Sequence, residues 1–177
     1  MKKIMLASIV SLFMISNSFA FLPTFSGFNT SFMVKGEGTI YRVVDGDTYV
    51  LNVNDISVYN ALKSQAKKPN ELGFFNDKYK SFRVRLGNVD TAESVHPDKS
   101  KNSAAGKTAS HYVKEKLEGQ KVDFSCWQYG IKGRAICSVI LNGEDFGLHL
   151  IKNGYSTYYT KFGKHPYLDK EYRKYSN

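Results

Sequence analysis

Asp45 and Asp47 stand two positions apart in "YRVVDGDTYVLNV", residues 41–53, and Asp90, Thr91 and Glu93 fall within four positions of "VRLGNVDTAES". Asp-Gly between alternating apolar residues marks a tight hairpin turn. Such a turn has no use for a second carboxylate directly afterwards. Carboxylates delivered from neighbouring strand ends repel one another unless a cation joins them. A donor set of oxygen alone, without nitrogen or sulfur, suits Ca²⁺ or Mg²⁺. Arg85 precedes the second cluster on the same strand-like run. A cation beside arginine suits phosphodiester chemistry, in which charge on phosphate is neutralised while water attacks. Singly, these residues read more simply as turn, cap and solvated side chains; it is the combination that points to chemistry.

The elements that must position them follow from periodicity. "GTIYRVV" and "TYVLNV" read as strands joined at Asp45-Gly46, and "SFRVRLGNV" as a third with Phe82, Val84 and Leu86 on one face and Arg83 and Arg85 on the other. Between them, residues 54–80 break the pattern and read as an insertion with a helical turn around Val58 to Gln65. "AAGKTASHYVKEKLEGQ" has helical spacing at Ala109, Tyr112, Val113 and Leu117, with Gly119 as its stop. "KVDFSCW" and "GRAICSVIL" supply two more strands, "EDFGLHLIKNG" a second helix and the tail a third. The fold class is α+β, mainly β. Five strands with a helix between the third and fourth is the order of an OB-fold, a five-stranded Greek-key barrel, here with about three helices.

The chain opens with Lys2 and Lys3, an apolar run from Ile4 to Ile15 and a small-residue close at Ala20, the pattern of a secretory signal peptide over 1–20. That run is too short to span a bilayer. Residues 21–35 read as a lead-in and 36–177 as one domain. Removal of 1–20 leaves 157 of 177 residues; without Lys2 and Lys3, 23 basic residues face 16 acidic ones, a net charge of about +7. An excess of that size draws a protein to polyanions such as nucleic acid. Cys126 and Cys137 are the two cysteines, each in a strand-like run with a turn-rich segment between them. In an oxidising compartment, a hairpin centred near Ile131 and Lys132 would place them opposite one another as a disulfide. No zinc spacing is present.

"VVDGDTYVL", "VRLGNVDTAES", His96-Pro97, "KTASHYVKEKL" and "GRAICSVILNGEDFGLHLIKNGY" together resemble the staphylococcal nuclease (thermonuclease) family, in its order over residues 38–160. The resemblance implies a Ca²⁺-dependent endonuclease hydrolysing DNA and RNA; with the signal-peptide pattern the expectation is an exported protein, secreted or periplasmic, acting as a monomer. It implies one Ca²⁺ held by Asp47, Asp90 and the carbonyl oxygen of Thr91, with Asp45 supporting from behind. Glu93 matches the general base for the attacking water. Arg85 and Arg134 match the arginines that stabilise charge in the transition state, a task suited to bidentate guanidinium geometry. Tyr158 and Tyr159 fall near the family's nucleotide-contacting tyrosines. The chain departs from the family in Ala92, where proline is usual, in the 54–80 insertion, and in a shorter carboxyl-terminal helix. Two other readings stand beside it: an inactive nucleic-acid-binding OB module, and a binder of anionic envelope polymers.

Overall fold

In a computed structural model the described residues are 32–94, 98, 100 and 102–176. The signal-peptide expectation and His96 lie outside them. Five long strands carry the fold: β1 (Val34–Asp45), β2 (Thr48–Val53), β4 (Ser81–Leu86), β6 (Lys121–Tyr129) and β7 (Ala135–Leu141). They pair in the order β4-β2-β1-β6-β7, and a parallel pairing of β4 with β7 closes the ring. This is the expected five-stranded OB-type barrel, here closed by the parallel β4–β7 pairing. Alternation drives it. In β4, Phe82, Val84 and Leu86 point into the core while Arg83 and Arg85 stay half-exposed. Tyr49, Leu51, Ile40, Phe124 and Val139 complete the interior from the other strands.

β1 begins at Val34, so its first two residues come from the stretch read as lead-in; Val34 and Lys35 pair with Cys126 and Ser125 of β6. Cys126 and Cys137 face one another in the β6–β7 register and are joined as a disulfide. The expected bridge is present.

Helix α3 (Ala104–Leu117) lays Ala109, Val113 and Leu117 on the barrel. The Ser103 hydroxyl caps its start by accepting from Gly106 N at 2.9 Å. Helix α4 (Phe146–Lys152) is capped by Asp145, whose Oδ1 accepts from Leu148 N at 2.9 Å and from the Tyr172 hydroxyl at 2.5 Å. Tyr172, fully buried, belongs to α5 (Asp169–Tyr175) and fastens that short tail helix to α4. Two short pairings complete the sheets: β5 (Val89–Thr91) with β9 (Ser156–Tyr158), and β8 (Glu144–Asp145) on β7.

The insertion is more ordered than one helical turn. It folds as α1 (Ile56–Gln65), α2 (Pro69–Leu72) and β3 (Phe75–Asn76), which brings the described helices to five rather than about three. Asp55 caps α1 through Ser57 N at 2.7 Å, and Tyr59 and Leu62 are buried against the barrel. The overlooked α2 has Pro at its first position and Glu71 folded back onto the Lys67 and Lys68 amides, at 2.7 and 3.0 Å. β3 pairs Phe75 with Phe82 and joins the lobe to the barrel edge.

Candidate active site

The β1–β2 hairpin forms the floor. Asp45 pairs with Thr48, so the connection is the two residues Gly46 and Asp47. Neither has a positive φ, so Gly46 is not there for the left-handed conformation that Asp-Gly hairpin turns favour. Space explains it instead: a Cβ on Gly46 would lie 2.5 Å from the Thr91 hydroxyl. The glycine lets β5 press against the turn.

Asp45 Oδ1 accepts from Gly46 N at 2.8 Å, Ser94 Oγ at 2.6 Å and Ser110 Oγ at 2.7 Å. Burial works to raise this carboxyl, but the hydrogen bonds from Ser94, Ser110 and Gly46 together hold it below its usual range. Asp45 thus ties the turn to α3 and to the loop carrying Glu93. Neither serine was singled out from the sequence, and no spacing there signalled them.

Asp47 is buried. Its Oδ1 accepts from the Thr48 hydroxyl at 3.0 Å, and Thr91 Oγ1 lies 3.4 Å from Oδ2. Burial pushes its carboxyl up, against the pull of Arg85. Arg85 stands opposite Thr48 across β2–β4 and beside Ile136 across β4–β7. Its guanidinium bridges two carboxylates, with Nη1 2.5 Å from Asp47 Oδ2 and Nη2 donating to Asp90 Oδ1 at 3.1 Å. Nη1 is buried and, in that charge pair, makes no aligned hydrogen bond.

Arg134 arrives from the β6–β7 hairpin. Gly130 N bonds Arg134 O at 2.8 Å, and Gly133 takes a φ of +87° to complete the turn. Arg134 Nη1 donates to Thr48 Oγ1 at 2.6 Å, which makes Thr48 the link between Asp47 and Arg134. Burial and then the charge of Arg85 lower the Arg134 pKa. Two guanidiniums share one wall, an arrangement that favours an anion between them. Glu93 is exposed at the loop edge; its carbonyl accepts from Ser103 N at 3.0 Å, and its side chain lies within hydrogen-bonding reach of Asp45.

These groups line one cleft of about 1000 Å³, which takes in Asp45, Asp47, Arg85, Asp90, Glu93 and Arg134. Thr91 sits against its floor through Asp47 and Gly46. Tyr159 lines the cleft beside Phe162, whose ring centroid is 5.9 Å away. Tyr158 sits elsewhere. Its hydroxyl donates to Asp169 Oδ1 and accepts from His165 N, both at 2.7 Å, and its ring packs on Tyr172. Arg83, Lys132 and Lys164 also line the cleft and were not singled out from the sequence; isolated cations carry no signal there.

A family model described as "Staphylococcal nuclease homologue" matches residues 83–177. The chain belongs to the staphylococcal nuclease family. The match takes in Arg85, Asp90, Thr91, Glu93 and Arg134 and begins after the insertion, so the hairpin with Asp45 and Asp47 precedes it. Comparison with curated proteins gives no match. Members of the nuclease family act on nucleic acids, and the cleft's paired arginines suit such a polyanion. Among the described residues no three His, Cys, Asp or Glu side chains group closely enough to hold a metal ion. The oxygen donors present, Asp47, Asp90 and backbone, fit a hard cation that keeps much of its water. No helix among the described residues is long and apolar enough to cross a membrane.

Proposed function

We propose that this protein is an exported Ca²⁺-dependent nuclease that hydrolyses phosphodiester bonds of DNA and RNA. The observation that carries the reading is the meeting of Asp47, Asp90, Arg85, Arg134 and Glu93 in one cleft of a nuclease-family barrel. Asp47, Asp90 and the Thr91 carbonyl oxygen would hold the Ca²⁺ ion. Bound there, the ion supplies positive charge against the phosphate. Asp45 keeps the turn and the Glu93 loop in place. Glu93 takes the proton of the attacking water. Arg85 and Arg134 face the phosphate oxygens, where charge grows as phosphorus becomes five-coordinate. Arg134 is already fixed by Thr48 at 2.6 Å, so little reorganisation is needed to present its remaining donors. Tyr159 offers a ring to the nucleotide; Tyr158, facing the core, serves packing.

Export rests on the amino-terminal pattern and agrees with the disulfide. The test is loss of high-molecular-weight DNA in Ca²⁺ and its protection by chelator. DNA bound but left intact in Ca²⁺ would favour the inactive binding module instead.

A further inference from the structure

The insertion lobe touches the cleft at two places, and each carries a cation outside the acidic floor. On β4, Arg83 lies two residues before Arg85, so both point to the same side of the strand, roughly 6.6 Å apart along it. That spacing is comparable with successive phosphates of an extended strand. Arg83 N donates to Phe74 O at 3.1 Å, and its guanidinium lies over the Phe74 ring at 5.0 Å. A guanidinium over an aromatic ring is attracted by the ring face and keeps its donors free for an anion. Phe74 in turn is fixed by β3, which pairs with β4.

The second contact is with the β6–β7 hairpin. Asn70 of α2 sits so close to Gly133 that a Cβ there would lie 2.5 Å from Asn70 O, and Asn70 Nδ2 reaches Ile131 O at 3.5 Å. Below them Tyr129 donates its hydroxyl to Leu62 O at 2.9 Å. The lobe thus buttresses the hairpin that presents Ile131, Lys132 and Arg134 to the cleft. Among the described residues Arg83 and Lys132 face the cleft without an ion pair, so both stay open to an anion there.

We infer that the insertion lobe builds a second phosphate subsite, formed by Arg83 on its Phe74 ring and by Lys132, which grips a single nucleic-acid strand beyond the bond that is cut. This rests on the nuclease reading for the first subsite only. A single strand fits better than a duplex because the cleft sets apolar faces beside its cations: Ile131 is 81% exposed and Phe162 60% exposed. Unpaired bases can stack on such faces, whereas paired ones are hidden.

The test compares a thymidylate dinucleotide with a thymidylate decanucleotide, using wild type, Arg83→Gln/Lys132→Gln and Phe74→Leu. Binding of the decanucleotide in chelator, without turnover, should show a salt slope smaller by about 0.7 for each lost contact, roughly 1.4 in the double variant. In Ca²⁺, the double variant should lose at least about tenfold more kcat/KM on the decanucleotide than on the dinucleotide. Phe74→Leu, which keeps both charges, should move the decanucleotide alone and by less. Lys132, exposed at the hairpin tip, also permits Lys132→Glu as a variant that spares the core. Equal losses on both lengths, an unchanged salt slope, or a larger loss for a decamer duplex would each overturn the subsite. A wild type that cuts neither substrate, but whose decanucleotide binding still depends on Arg83 and Lys132, would sink the nuclease reading and leave the subsite standing.

Discussion

At the scale of residues, the site balances acid against base with little to spare. Asp47 is buried, its carboxyl is raised by that burial, and Arg85 is the cation against it. Sharing Arg85 with Asp90 leaves each carboxylate partly compensated. A bound Ca²⁺ ion would complete the compensation, so it should stabilise the fold. At a hundredfold excess over its Kd the gain is about 2.7 kcal/mol, visible as a higher Tm in a Ca²⁺ titration. Asp47→Asn should abolish that Ca²⁺-dependent rise, and should leave the metal-free variant no less stable than wild type because a buried charge has gone. A Ca²⁺ response that survives Asp47→Asn would reject Asp47 as a ligand. Asp45 behaves oppositely. Its carboxyl is depressed, so its contribution is present above the unfolded-state pKa of 3.8 and disappears as pH falls through the lower folded value.

At the scale of elements, the carboxyl-terminal segment is held by a buried imidazole. His165 Nδ1 accepts from Leu168 N at 3.1 Å, so its proton sits on Nε2, which faces Ser138 Oγ at 3.0 Å. Burial lowers its pKa from 6.5 to about 4. The unfolded chain therefore binds the extra proton first, and stability should fall as pH drops from about 6.5 to about 4, by about 3 kcal/mol in all. Urea unfolding at pH 7 and pH 4.5 measures this, and His165→Gln should flatten the difference. The β6–β7 bridge closes a short loop, so reduction should cost roughly 2 to 3 kcal/mol, read as a lower Tm with reductant. The barrel strands, α3 and the disulfide were legible because alternation, helical spacing and symmetric placement each act over short range. The extent of α2 and the use of Phe74 and Asn70 were not, because their meaning lies in contacts with β4 and with Gly133, far away in sequence. Likewise Asp47, Asp90 and Glu93 could be picked out by type and spacing, and Arg134 by the resemblance of "GRAICSVIL" to the family. Thr48, Ser94 and Ser110 could not, since common hydroxyls acquire roles only through what they touch. Tyr158 ends β9 and is held by Asp169 and His165, whereas Tyr159, just past the strand, lines the cleft; neither placement shows in the sequence.

At the scale of the whole molecule, a chain of net charge +9 sets a small group of acids, Asp45, Asp47, Asp90 and Glu93, beside arginines and lysines in one cleft. General basicity attracts the nucleic-acid backbone; on the proposed reading, Arg85 and Arg134 on the cleft wall are the groups that would discriminate a transition state from a bound substrate. The measurement that separates the two is the rate of DNA cleavage in Ca²⁺ by wild type, Arg134→Ala and Glu93→Gln, set beside DNA affinity in chelator. Wild type should cut DNA. Arg134→Ala should lower kcat by about a hundred- to a thousandfold, and Glu93→Gln should depress it as well, while both variants bind DNA nearly as tightly as wild type. No cleavage by wild type in Ca²⁺, or variants whose affinity falls in step with their activity, would contradict a catalytic site in this cleft.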